Sequence, residues 1–405
     1  MTDNTKALLL DIVSYRLFGA EKPEINNADI VKLLKEAYSQ TVYTMVFPFV
    51  EEKLKSFAPE KFDALSEKYL AKLIVNTGNF HDHGELDRIM TENNIPYAVI
   101  KGIASAYYYP DSNMRDMGDV DFLVKEEDFE KTEALVQKLG YKYDHGESGD
   151  VHVAYERPGL SILEIHRSVN GIPKNAKGAL IKNEIEKAVP TSRRIEFASA
   201  SCNIVSEYLH GLIMLLHMVS HMTKEGIGLR HLCDWAVFVN SFTDERFRGI
   251  FEAKLKSFGL WKFCCIITKT CMEYLKIDEK NFVYEVEIES GLTEAVLDDI
   301  LGGGNFGKKD MNRYREIKYI SDRGGNSVSD KGIVAQLFSS LNEKTKSNKL
   351  VKKNRIFYPI GLAGESFKYA GLVLSGKRKS SGTSEMLKEA SKRKNLYNEL
   401  GLFKK

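Results

Sequence analysis

One stretch, Gly118-Asp119-Val120-Asp121-Phe122-Leu123-Val124, limits the folds open to this chain more than any other. Asp119 and Asp121 alternate with Val120 and Phe122, the period-two pattern of a strand whose successive side chains take opposite faces. On that reading Val120 and Phe122 enter a core, and both aspartates share the other face. Two neighbouring carboxylates on a sheet repel each other and are costly to keep dry. A divalent cation between them removes that cost, so the pattern points to an oxygen-ligated, magnesium-like site. The plainer reading is a strand mouth with two solvated aspartates. The surrounding sequence weighs against it.

Upstream, Ile95-Pro96-Tyr97-Ala98-Val99-Ile100 reads as a buried strand with proline near its start. Lys101-Gly102 follows, then Ile103 to Tyr109 as a short helix ended by Pro110. A strand, a glycine turn and a helix start form an anion cradle, because free backbone N–H groups and the helix dipole favour phosphate. Gly102 lets the backbone approach closely. Downstream, Ser161-Ile162-Leu163-Glu164-Ile165-His166 alternates again, with Glu164 and His166 on one face. A strand of this kind beside Asp119–Val124 brings a third carboxylate to the pair. Three acidic ligands hold two magnesium ions, with phosphate oxygens and water completing them. Lys101 and Arg115 flank the acids, either as charge balance or as phosphate ligands.

This order resembles the polymerase-beta-like nucleotidyltransferase superfamily, and more narrowly its uncharacterised bacterial group. Lys101, Gly102, Arg115, Gly118, Asp119, Asp121 and Glu164 carry the resemblance, over roughly residues 95–170. It implies an α+β fold, a small mixed β-sheet core flanked by N-terminal and C-terminal helical regions. It implies transfer of a nucleoside monophosphate from an NTP to a hydroxyl or amine, with release of pyrophosphate. ATP is the expected donor, on abundance alone; the acceptor is a small molecule, a sugar or a protein side chain. The implied cofactor is Mg2+, two ions, with Mn2+ as a substitute. Asp119, Asp121 and Glu164 are then the catalytic and metal-binding residues. Lys101, Gly102, Ser105, Arg115, Gly118 and Arg230 face the nucleotide, and His166, His217 and His221 are candidates for the acceptor side. One departure stands out. The superfamily places Ser or a second Gly after the turn glycine, and here Ile103 stands there, with Ser105 the nearest hydroxyl. That departure keeps a second reading open, a catalytically inactive nucleotide-sensing or partner-binding module on the same fold.

The 405 residues suffice for two or three domains. They divide into helical residues 1–92, an α/β core over 93–200, and a helical region over 201–405 that ends in a basic tail. In the first part, helical spacing marks Leu8 to Leu17, and a second helix opens at Ala28 with Asn27 as a candidate cap. A third starts near Pro59 and runs towards Val75, and a fourth covers His81 to Asn93. His81 and His83 do not share a helix face and read as polar surface or hinge residues. In the core, Glu127 to Leu139 is a helix ended by Gly140, and further strands fall at Tyr141–Tyr143 and Val151–Tyr155. His152 faces opposite Val151 and Val153.

A formal net charge of +2 gives no general signal for nucleic acid. No stretch approaches the roughly 20 apolar residues of a membrane span. Asp3 and Lys6 precede Leu8–Leu10 with no small-residue cleavage site, so a secretory signal is not expected. Five cysteines at irregular spacing argue against a disulfide framework and for a reducing cytoplasm.

Later in the chain, His217 and His221 are four apart on the helix Tyr208–His221. A zinc-peptidase helix needs Glu after the first His, and Met218 stands there. A hydrogen-bonded pair at an interface is the default. Arg230 and Asp234 have the spacing of a helix salt bridge. The resemblance makes Lys224, Arg230 and His231 candidates for a cleft wall. Gly302-Gly303-Gly304-Asn305-Phe306-Gly307-Lys308-Lys309 is a basic loop that reads as a hinge or interdomain turn, with a lid as the sharper option. Asp322–Ser327 is another loop, and the basic run beyond Lys331 reads first as a solvated helical tail, with an anionic-surface patch or an acceptor-binding arm as alternatives.

Overall fold

Alternation along the central strands sorts their side chains into two cores. The structure, a computed structural model, describes residues 3–25, 29–146, 148–149, 151–198, 200–305 and 380–404. Seven strands form one mixed sheet: β1 (Tyr97–Val99), β2 (Val120–Val124), β3 (Lys142–Asp144), β4 (His152–Glu156), β5 (Leu163–His166), β6 (Arg193–Phe197) and β7 (Ala200–Ile204). Their order is β3-β4-β5-β2-β1-β7-β6. β2 and β5 run parallel, as do β1 and β7, and the other neighbours are antiparallel. The fold is α+β, as expected. The hairpin β6–β7 was not anticipated, and it carries the sheet to Ile204.

Val120, Phe122 and Val124 pack with Tyr97, Val99, Leu163 and Ile165 in one core. Helix α4 (Pro59–Glu92) adds Phe80, Leu86 and Met90 to it, and α6 (Glu126–Lys138) adds Phe129 and Val136. Between them on the sequence is the single-turn α5 (Ile103–Ala106). From the opposite sheet face, Ala98, Ile100 and Leu123 join a larger core. That core is built by α1 (Asp3–Phe18), α2 (Ile30–Ser39) and α3 (Tyr43–Phe57) together with later helices. These are α7 (Ala176–Ile185), α8 (Glu207–Met222), α9 (Leu229–Asn240), α10 (Asp244–Phe258), α11 (Trp261–Leu275) and α12 (Leu292–Gly303). The helices before and after the sheet therefore share one apolar interior.

Several sequence expectations need correction. Helix α2 is capped by Asp29, whose carboxylate accepts from the Lys32 N–H at 2.9 Å; Asn27 lies outside the described residues. Helix α4 is continuous for 34 residues, where two helices were expected. The polar run Asn76-Thr77-Gly78-Asn79 imitates a break, but Asn76 and Asn79 are fully buried in helix. His83 is fully buried as well, so it is neither a surface nor a hinge residue. Gly302 and Gly303 end α12 instead of forming a loop, and the turn begins at Gly304 with φ +64°.

Residues 306–309, the loop at 322–327 and the basic run up to residue 379 lie outside the described residues. The last helix, α13 (Ser380–Glu399), is not simply solvated. Ala390, Tyr397 and Leu400 enter the large core, and the Tyr397 hydroxyl donates to the Met222 carbonyl at 2.7 Å. All five cysteines are free and buried. Among the described residues, no helix is long and apolar enough to cross a membrane.

Candidate active site

The parallel register of β2 and β5 sets Asp121 opposite Glu164 and Leu123 opposite His166. Asp119 lies two residues before Asp121 and so belongs to the same face. Lys101 follows β1 and donates to Asp121 Oδ1 at 2.6 Å. His166 Nε2 sits 3.0 Å from the same oxygen and 3.2 Å from Glu164 Oε2. Burial alone would raise the Asp121 carboxyl. The Lys101 ammonium and His166 outweigh that and hold it well below the usual carboxylate range. Asp119 is exposed at the mouth of the cleft, yet protein crowds its carboxyl. That crowding first, and then the charges of Asp121 and Glu164, push it up to about 6.

Gly102 has φ +54° and ψ −114°, a backbone shape that side chains resist. The turn therefore forms as expected. Helix α5 is only four residues long, so its dipole adds little. Its Ala104 and Ser105 N–H groups already bond to the carbonyls of Lys101 and Gly102. The Ser105 hydroxyl lies 3.5 Å from His210 Nε2.

A cavity of about 300 Å³ adjoins this face. Lys101, Gly102, Ser105, Arg115, Gly118, Asp119, Asp121, His217 and Arg230 all line it. Arg115 does so with its guanidinium already engaged: Nε and Nη2 donate to the two Asp234 oxygens at 2.8 and 2.9 Å. Asp234 is thus the partner of Arg115, and the expected helix bridge to Arg230 is not formed. Arg230 Nη1 instead donates to the Asp116 carbonyl at 3.0 Å. Lys72, which sequence reasoning missed, also lines the cavity and pairs with Asp116 at 2.9 Å. His231 and Asn305 complete the wall near Arg230, whereas Lys224 is not among the lining residues.

Residues 26–276 match a family model described as uncharacterised nucleotidyltransferase. The chain belongs to that family. Among solved structures, it is similar to a crystal structure of an antigenic nucleotidyltransferase-like protein from Paracoccidioides brasiliensis. That similarity has 14% identity, a TM-score of 0.32, and covers 52% of this chain and 98% of the other. No curated protein matches the chain.

In this member of the family the motif loop 115–118 is braced from below by helix α4. Asn76 Nδ2 donates to the Arg115 carbonyl at 3.0 Å, and its Oδ1 accepts from the Met117 N–H at 2.8 Å. Asn79 donates to the Gly118 carbonyl at 2.6 Å, and Asp82 accepts from the Ser161 N–H at 2.7 Å. His83 Nδ1 bonds to the Asn79 carbonyl at 2.8 Å. Burial, the largest influence, lowers its pKa to about 4. Sequence reasoning missed this brace. Its signal was the helical spacing of Asn76, Asn79 and His83, which place polar groups on one buried face.

The three acceptor-side histidines separate. His166 stands between the carboxylates. His217 reaches the cavity, and burial holds its pKa well below the usual value. His221 meets the His217 ring edge-on at 4.3 Å and lies 3.7 Å from Glu225. Both neighbour His231, so these side chains form an imidazole cluster on one wall.

Proposed function

We propose that this chain is a metal-dependent nucleotidyltransferase. In this reading it moves a nucleoside monophosphate from an NTP, ATP in the first instance, to a hydroxyl or amine acceptor and releases pyrophosphate. The observation that carries the reading is the pairing of Asp121 with Glu164 across β2–β5, with Asp119 on the same face beside the cavity.

These carboxylates fit a hard divalent cation. Desolvation by the surrounding protein first, and then the charges of Asp121 and Glu164, raise the Asp119 pKa, and Lys101 already supplies Asp121 with one positive neighbour. Asp119, Asp121 and Glu164 would hold Mg2+, two ions, or Mn2+ in its place. Such ions neutralise phosphate charge and favour in-line displacement when bound. The chain's own side chains do the rest. Gly102 lets the backbone approach the phosphates, and Arg230 offers them an unmatched guanidinium. Lys101 balances the acidic cluster. His217, kept neutral, offers a ring nitrogen to orient an acceptor hydroxyl. Buried free thiols suit a cytoplasmic setting.

A second reading, a nucleotide-sensing module without turnover, is favoured by two observations. Ile103 follows the turn glycine, and Asp121 is already paired with Lys101 and in contact with His166. A panel of NTPs with Mg2+ or Mn2+ separates the two, read by thermal shift and by pyrophosphate release. We expect metal-dependent pyrophosphate release that Asp119→Ala abolishes while the melting temperature stays within a few degrees. Binding without release would establish the sensing module. Neither binding nor release with any NTP would refute both readings.

A further inference from the structure

Glu164 stands between two imidazoles. The antiparallel register of β4 and β5 pairs His152 with His166 and Ala154 with Glu164, so His152 joins Glu164 and His166 on one sheet face. His152 Nε2 lies 3.7 Å from Glu164 Oε2, and His166 Nε2 lies 3.2 Å from that same oxygen. One ligand atom from each of the three residues falls within 4.8 Å of the others. The two rings are 4.8 Å apart, and all three side chains are mostly buried.

The second nitrogen of His166 decides what this cluster wants. His166 Nδ1 is 3.2 Å from the Ser168 carbonyl oxygen, a contact that needs a proton on Nδ1. In the neutral ring Nε2 then carries the lone pair. It faces Asp121 Oδ1 at 3.0 Å and Glu164 Oε2 at 3.2 Å. The Lys101 ammonium already answers Asp121 Oδ1 at 2.6 Å. Between Glu164 and the two imidazoles, electron-rich atoms repel each other unless something positive lies among them, and either a second ring proton or a metal ion meets that need. A backbone carbonyl holding one imidazole nitrogen while the other faces a cation is how metal-binding histidines are oriented. Nitrogen donors also select the ion: imidazole suits first-row transition metals, whereas Mg2+ keeps oxygen ligands and water.

We infer that His152, Glu164 and His166 form a binding site for one first-row transition-metal ion of the Zn2+ or Co2+ class. The site shares Glu164 with the acidic cluster but does not depend on nucleotidyl transfer. Its selectivity comes from two nitrogen donors that the Asp119–Asp121 pair lacks.

The test uses the full-length chain, stripped with a chelator and titrated with Co2+. The expected result is one equivalent bound, with the visible absorption of a nitrogen-ligated ion that a large excess of Mg2+ does not remove. His152→Ala and the bulkier His152→Gln should each weaken binding at least about tenfold, with circular dichroism unchanged. Asp119→Asn should leave the absorption in place. Binding that is insensitive to both His152 variants, or that Mg2+ displaces at similar concentration, overturns the site. Absence of colour does too, and leaves a ring proton as the positive group. Pyrophosphate release with the Co2+ site absent would count against this inference alone. A Co2+ site without pyrophosphate release would count against the transferase reading alone.

Discussion

Among the described residues no carboxylate forms an ion pair with Arg230, although Asp234 and Asp116 lie near enough to favour its charge. Its Nε has no hydrogen-bond partner among the described residues, and burial followed by repulsion from Arg115 lowers its pKa. Arg115 and Lys72 are matched to Asp234 and Asp116, so neither has the same reason to seek an anion. A desolvated, unmatched guanidinium costs stability by itself and gains by meeting phosphate oxygens. Arg230→Ala should therefore weaken NTP binding roughly tenfold to a hundredfold, the scale of about 1.5–3 kcal/mol for a charge-assisted hydrogen bond. Its melting temperature should hold or rise. Calorimetric titration and thermal melts check both; unchanged affinity with a lower melting temperature would make Arg230 a structural residue. His210 shows the opposite economy, a buried group kept neutral. Its ring stacks on Tyr108 at 5.6 Å, and burial, the largest influence, lowers its pKa to about 3. In the unfolded chain His210 and His83 titrate near 6.5. The unfolded state thus takes up protons first as pH falls. Stability is fully present above about pH 6.5 and drains away towards pH 4, by up to roughly 1.4 kcal/mol per pH unit for each histidine. Urea denaturation between about pH 7 and 5 should show this slope, and His210→Gln should flatten it.

At the scale of elements, the turn between β1 and α5 holds in place the part of the site proposed to face phosphate. A Cβ on Gly102 would meet His83 Nε2 at 3.4 Å and the Asp119 carbonyl at 3.6 Å, at a φ of +54°. Gly102→Ala should cost about 1–2 kcal/mol in backbone strain and lower NTP affinity, because the turn must open. Thermal melts with and without nucleotide check it. Strands β2 and β5 are legible in sequence because Asp119 and Asp121, then Glu164 and His166, alternate with apolar residues, and both faces of the sheet have a use. Hairpin β6–β7 is not. Arg193, Arg194 and Glu196 surround a single buried Ile195, so the edge strand β6 shows little of a core-facing pattern. Helix α4 hides its continuity for a different reason. Its buried face carries Asn76 and Asn79 to bond the motif loop, and buried amides look like a loop to any reading based on apolar period. The carboxylates and the glycine turn were legible; the ion pairs around them were not. Arg230 and Asp234 have ideal helix spacing, but tertiary packing delivers Arg115 to Asp234 first.

Across the whole molecule, one buried ionic link ties the sheet's motif loop to the helical body. Arg115 comes from the loop before β2 and Asp234 from α9, and both are nearly inaccessible. The Tyr109 hydroxyl adds a third bond, to Asp234 Oδ1 at 2.7 Å. Burial alone would raise the Asp234 carboxyl, but Arg115 outweighs it and holds it below its ordinary value. Such a link is expensive to half-remove. Asp234→Ala strands the Arg115 charge in the interior and should cost about 3–5 kcal/mol. Replacing the whole set, Arg115→Met with Asp234→Leu and Tyr109→Phe, removes the three groups that bond one another. It should recover much of that loss, since a well-packed apolar substitute is often as stable as a buried ion pair. Denaturant unfolding of the single and triple variants gives the comparison. If the triple variant is no more stable than Asp234→Ala, the link stabilises through its own attraction. If stability returns while NTP affinity does not, the buried charges serve to set Arg115 and its loop against the cavity, and the fold pays in stability for the shape of the site.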